Sequence, residues 1–149
     1  MTCHRDEYGH AAGQGPAVGP AEPGAGAGGW GDDAANFAGS YYLMGYAVEC
    51  AIKSAIAKQT KRFDFPDKQL AVDSYKHDLR SLMQTAGLWV VFEVEIRANP
   101  ALGDNWAVVK DWSEASRYIL SVSEAQARDL HSACTAKTHG LLSWLKKCW

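Results

Sequence analysis

Excess positive charge, long apolar runs, paired cysteines and the motifs of common enzyme classes are all missing from this 149-residue chain. Each absence removes a class of function. Lysine and arginine total 15 against 17 aspartates and glutamates, a formal charge of −2, which excludes a strongly basic nucleic-acid clamp. No stretch reaches the roughly 18 uninterrupted apolar residues of a spanning helix, and the Met1 end has no signal-like apolar run. A soluble, cytoplasmic protein with no membrane association is expected. Cys3, Cys50, Cys134 and Cys148 lie far apart with no C-x-x-C pair, so reduced thiols are expected rather than a disulfide framework or a zinc knuckle. Five histidines (His4, His10, His77, His131 and His139) offer no i, i+4 pair, and neither metal nor cofactor is expected. There is no P-loop, no dinucleotide fingerprint after a strand, no H-E-x-x-H and no G-x-S-x-G, so the standard enzyme classes lose support.

What is present is 47% apolar residues, enough for one packed core in one domain. Nine of the 14 glycines and three of the five prolines fall between Gly9 and Gly31. That composition predicts a flexible low-complexity tail over residues 1–31 and a folded unit over 32–149. The folded unit carries 14 basic and 14 acidic residues, so any basic surface in it must come from local clustering.

From Asp32 the pattern turns helical. Phe37, Tyr41, Met44, Val48, Ile52, Ala55 and Ile56 recur at steps of three and four, predicting a helix over 34–58 with acidic Asp32 and Asp33 at its positive end. Gly39 and Gly45 inside it each cost about 1 kcal/mol against alanine. They call for a reason such as close approach of a neighbouring helix. The Phe63–Asp67 stretch should break the chain at Pro66. A second helix is expected over 75–86, capped by Ser74 and closed by Gly87. Residues 88–96 read as helix with strand as the alternative, since WVVFEVEI is rich in β-branched and aromatic residues. Asn99-Pro100 reads as a turn, 105–116 as a helix, and Ser123 with Gln126 as the capping box of the last long helix, broken near Gly140. The sum is an all-α antiparallel helical bundle.

The main polar feature is Tyr42, Tyr46, Glu49 and Lys53, on one face of the first helix. Its plain reading is a surface Glu49–Lys53 pair worth about 0.2–0.5 kcal/mol. The sharper reading is a ligand or interface face, suited to close contact by Gly39 and Gly45. His77, placed in the first turn of the second helix, reads as a partner of a loop carbonyl or as a proton-transfer group. Arg117 and Tyr118 close the segment NWAVVKDWSEASRY, where aromatic faces can anchor the guanidinium and Glu114 can pair with it.

The segments YYLMGYAVECAIKSAIAKQ, FDFPDK, SYKHDLRSLMQTAGL, NWAVVKDWSEASRY and LLSWLKKCW together resemble prokaryotic HEPN-domain proteins, from about Gly39 to the end. The resemblance implies an all-α bundle of the HEPN type that forms a homodimer. It also implies a nucleotidyltransferase partner in a toxin–antitoxin or defence pair, and RNA or nucleotide as ligand. Many members of the family are metal-independent RNases, whose R-x(4–6)-H motif joins arginine and histidine at the dimer seam. Arg5, Arg62, Arg80, Arg97 and Arg117 are read as lacking a histidine at that spacing, and the expectation is that the motif is absent. Arg128 and His131, with two residues between, leave only a shortened version. HEPN bundles also begin with a helix that the Gly/Ala/Pro run replaces here, which would leave apolar surface of the 34–58 helix uncovered. Two functions follow from the resemblance: a non-catalytic nucleotide- or RNA-binding or interaction module, and an RNase toxin with a noncanonical site drawn from Glu49, Lys53, His77, Arg117 and His131. A purely structural role for these polar residues is the third reading.

Overall fold

A computed structural model describes residues 30–61, 65 and 67–148, with the backbone alone over 30–35. Residues 1–29 of the expected tail lie outside the described residues, as does most of the Phe63–Pro66 break. The described residues form seven α-helices, two short 3₁₀ turns and no strand. The all-α expectation holds. None of the helices is long and apolar enough to cross a membrane.

Helix α1 (Trp30–Ala57) starts two residues ahead of the expected domain boundary and runs through the middle of the fold. Val48, Ile52 and Ile56, at steps of four, are almost fully buried. This stripe packs against α3, α6 and α7.

The expected 75–86 helix starts later, at Leu79, and is preceded by a short helix that was not expected. Asp67 caps α2 (Lys68–Ser74), its carboxylate accepting from the Gln69 and Leu70 amides at 2.8 and 3.3 Å. Ser74, expected as an N-cap, instead ends α2 and donates its hydroxyl proton to Ala71 O at 2.7 Å. The true cap of α3 (Leu79–Thr85) is Asp78, which accepts from the Ser81 amide at 2.6 Å. His77 therefore lies in the turn before α3 rather than inside a helix. A carboxylate is as good a cap as a hydroxyl, and with both Ser74 and Asp78 able to cap, the apolar stripe Leu79, Leu82, Met83 decides the start. Gly87 closes α3 as expected, at φ +67°, with Gly87 N–H donating to Gln84 O and Leu88 N–H to Met83 O, both at 2.9 Å. These two bonds form a Schellman motif.

Residues 89–98 are helical: α4 (Trp89–Ala98). The strand alternative arose because Val90, Val91 and Val94 face outward at 61–71% exposure, which blurs the helical period. Asn99 then acts as the N-cap of α5 (Pro100–Val109), its side-chain oxygen accepting from the Leu102 amide, with Pro100 at the first helical position. Proline is favoured there because its missing N–H is not needed. The expected 105–116 helix thus starts earlier and stops at Val109. Trp112 lies in the turn that follows, ahead of the 3₁₀ turn Glu114–Tyr118.

The capping box is present as expected on α6 (Glu124–Thr135): Ser123 Oγ accepts from the Gln126 amide at 3.2 Å, and Gln126 Oε1 accepts from the Ser123 amide at 2.9 Å. Gly140 breaks the chain before α7 (Leu141–Leu145). The far end of the core is aromatic. Phe92 lies 4.8 Å from Trp144 and 5.3 Å from Trp106, ring centre to ring centre, both edge-on, the geometry that ring quadrupoles favour.

Candidate functional site

Helix α1 builds the site by holding one polar residue inside its buried stripe. Glu49 sits between Val48 and Ala51 and is only 1% exposed, so the expected surface ion pair is a buried one. Lys53, one turn on, places Nζ 2.8 Å from Glu49 Oε1. His77, from the turn ahead of α3, places Nδ1 2.9 Å from the same oxygen. Glu49 Oε2 is buried and has no hydrogen-bond partner among the described residues. Taking a carboxylate out of water costs several kcal/mol unless it is paired, so Lys53 and His77 offset what the helix position imposes. The loop-carbonyl reading of His77 is replaced by this bond.

Gly45, one turn before Glu49, lies flat against the Trp112 indole: a Cβ there would fall inside 3.0 Å of Cγ, Cδ1 and Cδ2. The glycine has the close neighbour that its cost demanded, an indole from a turn rather than a helix. Gly39 has no atom within 4 Å of a built Cβ, and the fold gives it no comparable reason. Trp112 is 3% exposed and its Nε1 has no hydrogen-bond partner among the described residues. Its ring centre lies 6.1 Å from Tyr42, which stacks on Tyr46 at 5.9 Å and 13°.

Arg117 reaches this row of rings from the 3₁₀ turn. Its Nη2 donates to the Tyr42 hydroxyl at 3.3 Å, and Cζ lies 5.6 Å from the Tyr42 ring centre and 5.7 Å from that of Tyr118. Tyr42 first, then Tyr118, favours the charged guanidinium. No carboxylate among the described residues lies within 4.0 Å of it, so the expected Glu114 pair does not form. Tyr46 is 43% and Tyr118 77% exposed. The Tyr46 phenol is pushed above its ordinary value, chiefly by the Cys50 thiol one turn along.

Trp112 and His77 line an open cleft of about 520 Å³ together with Lys76, Asp78, Lys110 and Glu114. Lys76 is engaged by Asp73 at 2.8 Å and Lys110 by Asp111 at 2.7 Å. Sequence reasoning missed Trp112, Lys76 and Lys110. Trp112 shares helical spacing with Trp106 and Val109 and so reads as plain core.

The candidates do not form a single site. Tyr42, Tyr46, Arg117 and Tyr118 form one aromatic row beside Trp112, and Glu49, Lys53 and His77 form a polar cluster whose His77 shares a cleft with Trp112, whereas His131 belongs to α6. Its Nδ1 is 3.4 Å from Thr135 Oγ1, and it lines a separate pocket with Arg128, Phe37 and Ser40. Arg128 is engaged by Glu124, so the shortened Arg128–His131 pair has a committed arginine. The expected absence of the R-x(4–6)-H spacing is corrected in one place. Arg5 and His10 have four residues between them, in the N-terminal segment outside the described residues, so the absence holds for the helical region alone.

Among the described residues no group of three or more histidine, cysteine, aspartate or glutamate side chains is placed to hold a metal ion. Compared with models of protein families, with curated proteins and with solved structures, the chain finds no match in any of the three.

Proposed function

We propose that the chain is a HEPN-like helical module that binds a nucleotide or RNA rather than cleaving it. In this reading it acts as a homodimer, in a toxin–antitoxin or defence pair with a nucleotidyltransferase. The resemblance of the Gly39-to-end segments supports the family, and an all-helical fold agrees with it. One observation carries the binding reading: an exposed arginine without a carboxylate partner among the described residues, held between Tyr42 and Tyr118 beside the Tyr42–Tyr46 stack. Aromatic faces take up bases by stacking, at about 1–3 kcal/mol per base, while a free guanidinium takes phosphate. Native mass spectrometry of the protein isolated from its own cells tests this proposal. A co-travelling nucleotidyltransferase or nucleotide supports the paired module, and a bare homodimer weakens it.

The second reading, a metal-independent RNase with a noncanonical site, is favoured by one specific feature, the His77–Glu49 bond beside the cleft. A histidine oriented by a buried carboxylate is a recurring proton-transfer device. Loss of RNA cleavage in a folded His77→Ala variant supports this reading. Cleavage that survives the substitution removes it.

A further inference from the structure

Glu49 Oε1 lies within hydrogen-bond distance of two nitrogens, Lys53 Nζ and His77 Nδ1. An ammonium can only donate, so that oxygen is an acceptor, and the His77 nitrogen facing it must carry a proton. A neutral imidazole protonated at Nδ1 has its lone pair on Nε2. The ring is partly exposed, 42% over the side chain, and lines the cleft with Trp112. Lys76 and Lys110 are engaged by Asp73 and Asp111, and Asp78 caps α3. His77 is the cleft's one imidazole, and Glu114 has the one carboxylate there that neither an ion pair nor a cap engages among the described residues.

We infer that Glu49 is a positioning residue that fixes His77 as its Nδ1–H tautomer and presents the Nε2 lone pair to the cleft as a proton acceptor for a substrate hydroxyl. The catalytic use rests on the RNase reading; the tautomer does not. In such a step the RNA 2′-hydroxyl proton passes to Nε2 as that oxygen forms a bond to the adjacent phosphorus. The bond from phosphorus to the 5′ oxygen breaks, and the proton is handed from Nε2 to that departing oxygen while Nδ1–H stays bonded to Glu49. No electrons are exchanged with a co-reactant. The fold supplies an internal contrast. Asn99 Oδ1 accepts from the Leu102 amide, so its Nδ2 is the donor facing His139 Nδ1 at 2.9 Å. His139 must then hold its proton on Nε2, the opposite tautomer.

The test is long-range proton–nitrogen NMR of the ¹⁵N-labelled full chain in alkaline solution, with His77→Gln and His139→Gln variants assigning the rings. His77 is expected to show a protonated-type Nδ1 and an unprotonated-type Nε2, and His139 the reverse. Glu49→Met, close in volume and lacking an acceptor, should move His77 to the Nε2–H pattern and leave His139 alone. An Nε2–H pattern for His77 in the unmodified chain overturns the inference, as does an Nδ1–H pattern that persists in Glu49→Met. Should that variant unfold, shown by loss of the His139 pattern, Lys53→Met decides. Its Glu49 still accepts from His77, so the Nδ1–H pattern must remain, and a switch there overturns the inference. An Nδ1–H pattern without any RNA cleavage counts against the RNase reading alone.

Discussion

Replacing Gly45 by alanine should destabilise the protein, although the same change at Gly39, also in α1, should stabilise it. In both cases the alanine side chain lowers the helix's conformational cost by about 0.5–1 kcal/mol. At Gly39 nothing lies within 4 Å of the new methyl, so the whole gain is kept. At Gly45 the methyl falls inside 3.0 Å of Trp112 Cγ, Cδ1 and Cδ2. Those atoms lie at the root of the indole, next to its own Cβ, so the ring cannot swing clear by its tip. Trp112 is 3% exposed and lies against Tyr42, and its displacement would disturb the Arg117 platform as well. Overpacking of this kind costs about 1–3 kcal/mol, and the buried setting places it in the upper part of that range. The net loss is about 1–2 kcal/mol, which sets the two variants about 2–3 kcal/mol apart. Urea unfolding followed by circular dichroism should show midpoints about 1 M or more apart, since slopes for small domains are about 1–3 kcal/mol per molar. Equal midpoints, or a Gly45→Ala protein as stable as Gly39→Ala, would refute the packing of Trp112 on α1.

Three further outcomes are expected. Lys53→Met should cost about 1–3 kcal/mol in the same assay, less than for a fully buried pair because Lys53 is 29% exposed; a loss within error would mean that Glu49 does not depend on it. Ser123→Ala removes the α6 cap and should cost about 1 kcal/mol, with Ser121→Ala as the control that should change nothing. Burial pushes the Cys134 thiol from 9.0 up to about 12, so it should resist alkylation in the native state while exposed Cys50 reacts. Because the folded form holds that proton more tightly, the thiol's contribution to stability is fully present below pH 9.0 and is lost as pH rises toward about 12. Tyr41, whose phenol is pushed up first by burial and then by Asp111, acts in the same direction. Stability rising between pH 9 and 12 would contradict both.

The features legible in the sequence are those whose cause is local. The α1 stripe, the Ser123–Gln126 box and the left-handed Gly87 each depend on residues within about one turn, and each is found where its pattern places it. The misplaced boundaries share a different cause. Ser74, Asp67 and Asp78 all have cap chemistry, and only packing of Leu79, Leu82 and Met83 selects which serve. For the site, the spacing of Tyr42, Tyr46, Glu49 and Lys53 revealed a shared face but not its depth. A Glu–Lys pair four residues apart looks the same in sequence whether it is solvated or 1% exposed. The partners come from elsewhere: His77, bonded to Glu49, is 28 positions away, and Trp112 is carried to Gly45 by the turn after α5. Likewise, Tyr42 and Arg117 are 75 positions apart, so no local pattern could pair them. Gly45 was the one local sign, a costly residue that needed a neighbour.

The most direct test of the binding reading is a fluorescence-anisotropy titration of labelled RNA oligonucleotides and nucleotides with the full chain and with Arg117→Ala. Arg117 is exposed and makes one hydrogen bond, to the Tyr42 hydroxyl, so the variant should fold normally. The account predicts saturable binding by the unmodified chain, weakened about tenfold or more in the variant, as expected when a charge-assisted contact worth about 1.5–3 kcal/mol is removed. Absence of binding by the unmodified chain, or equal affinity in the two proteins, would contradict it.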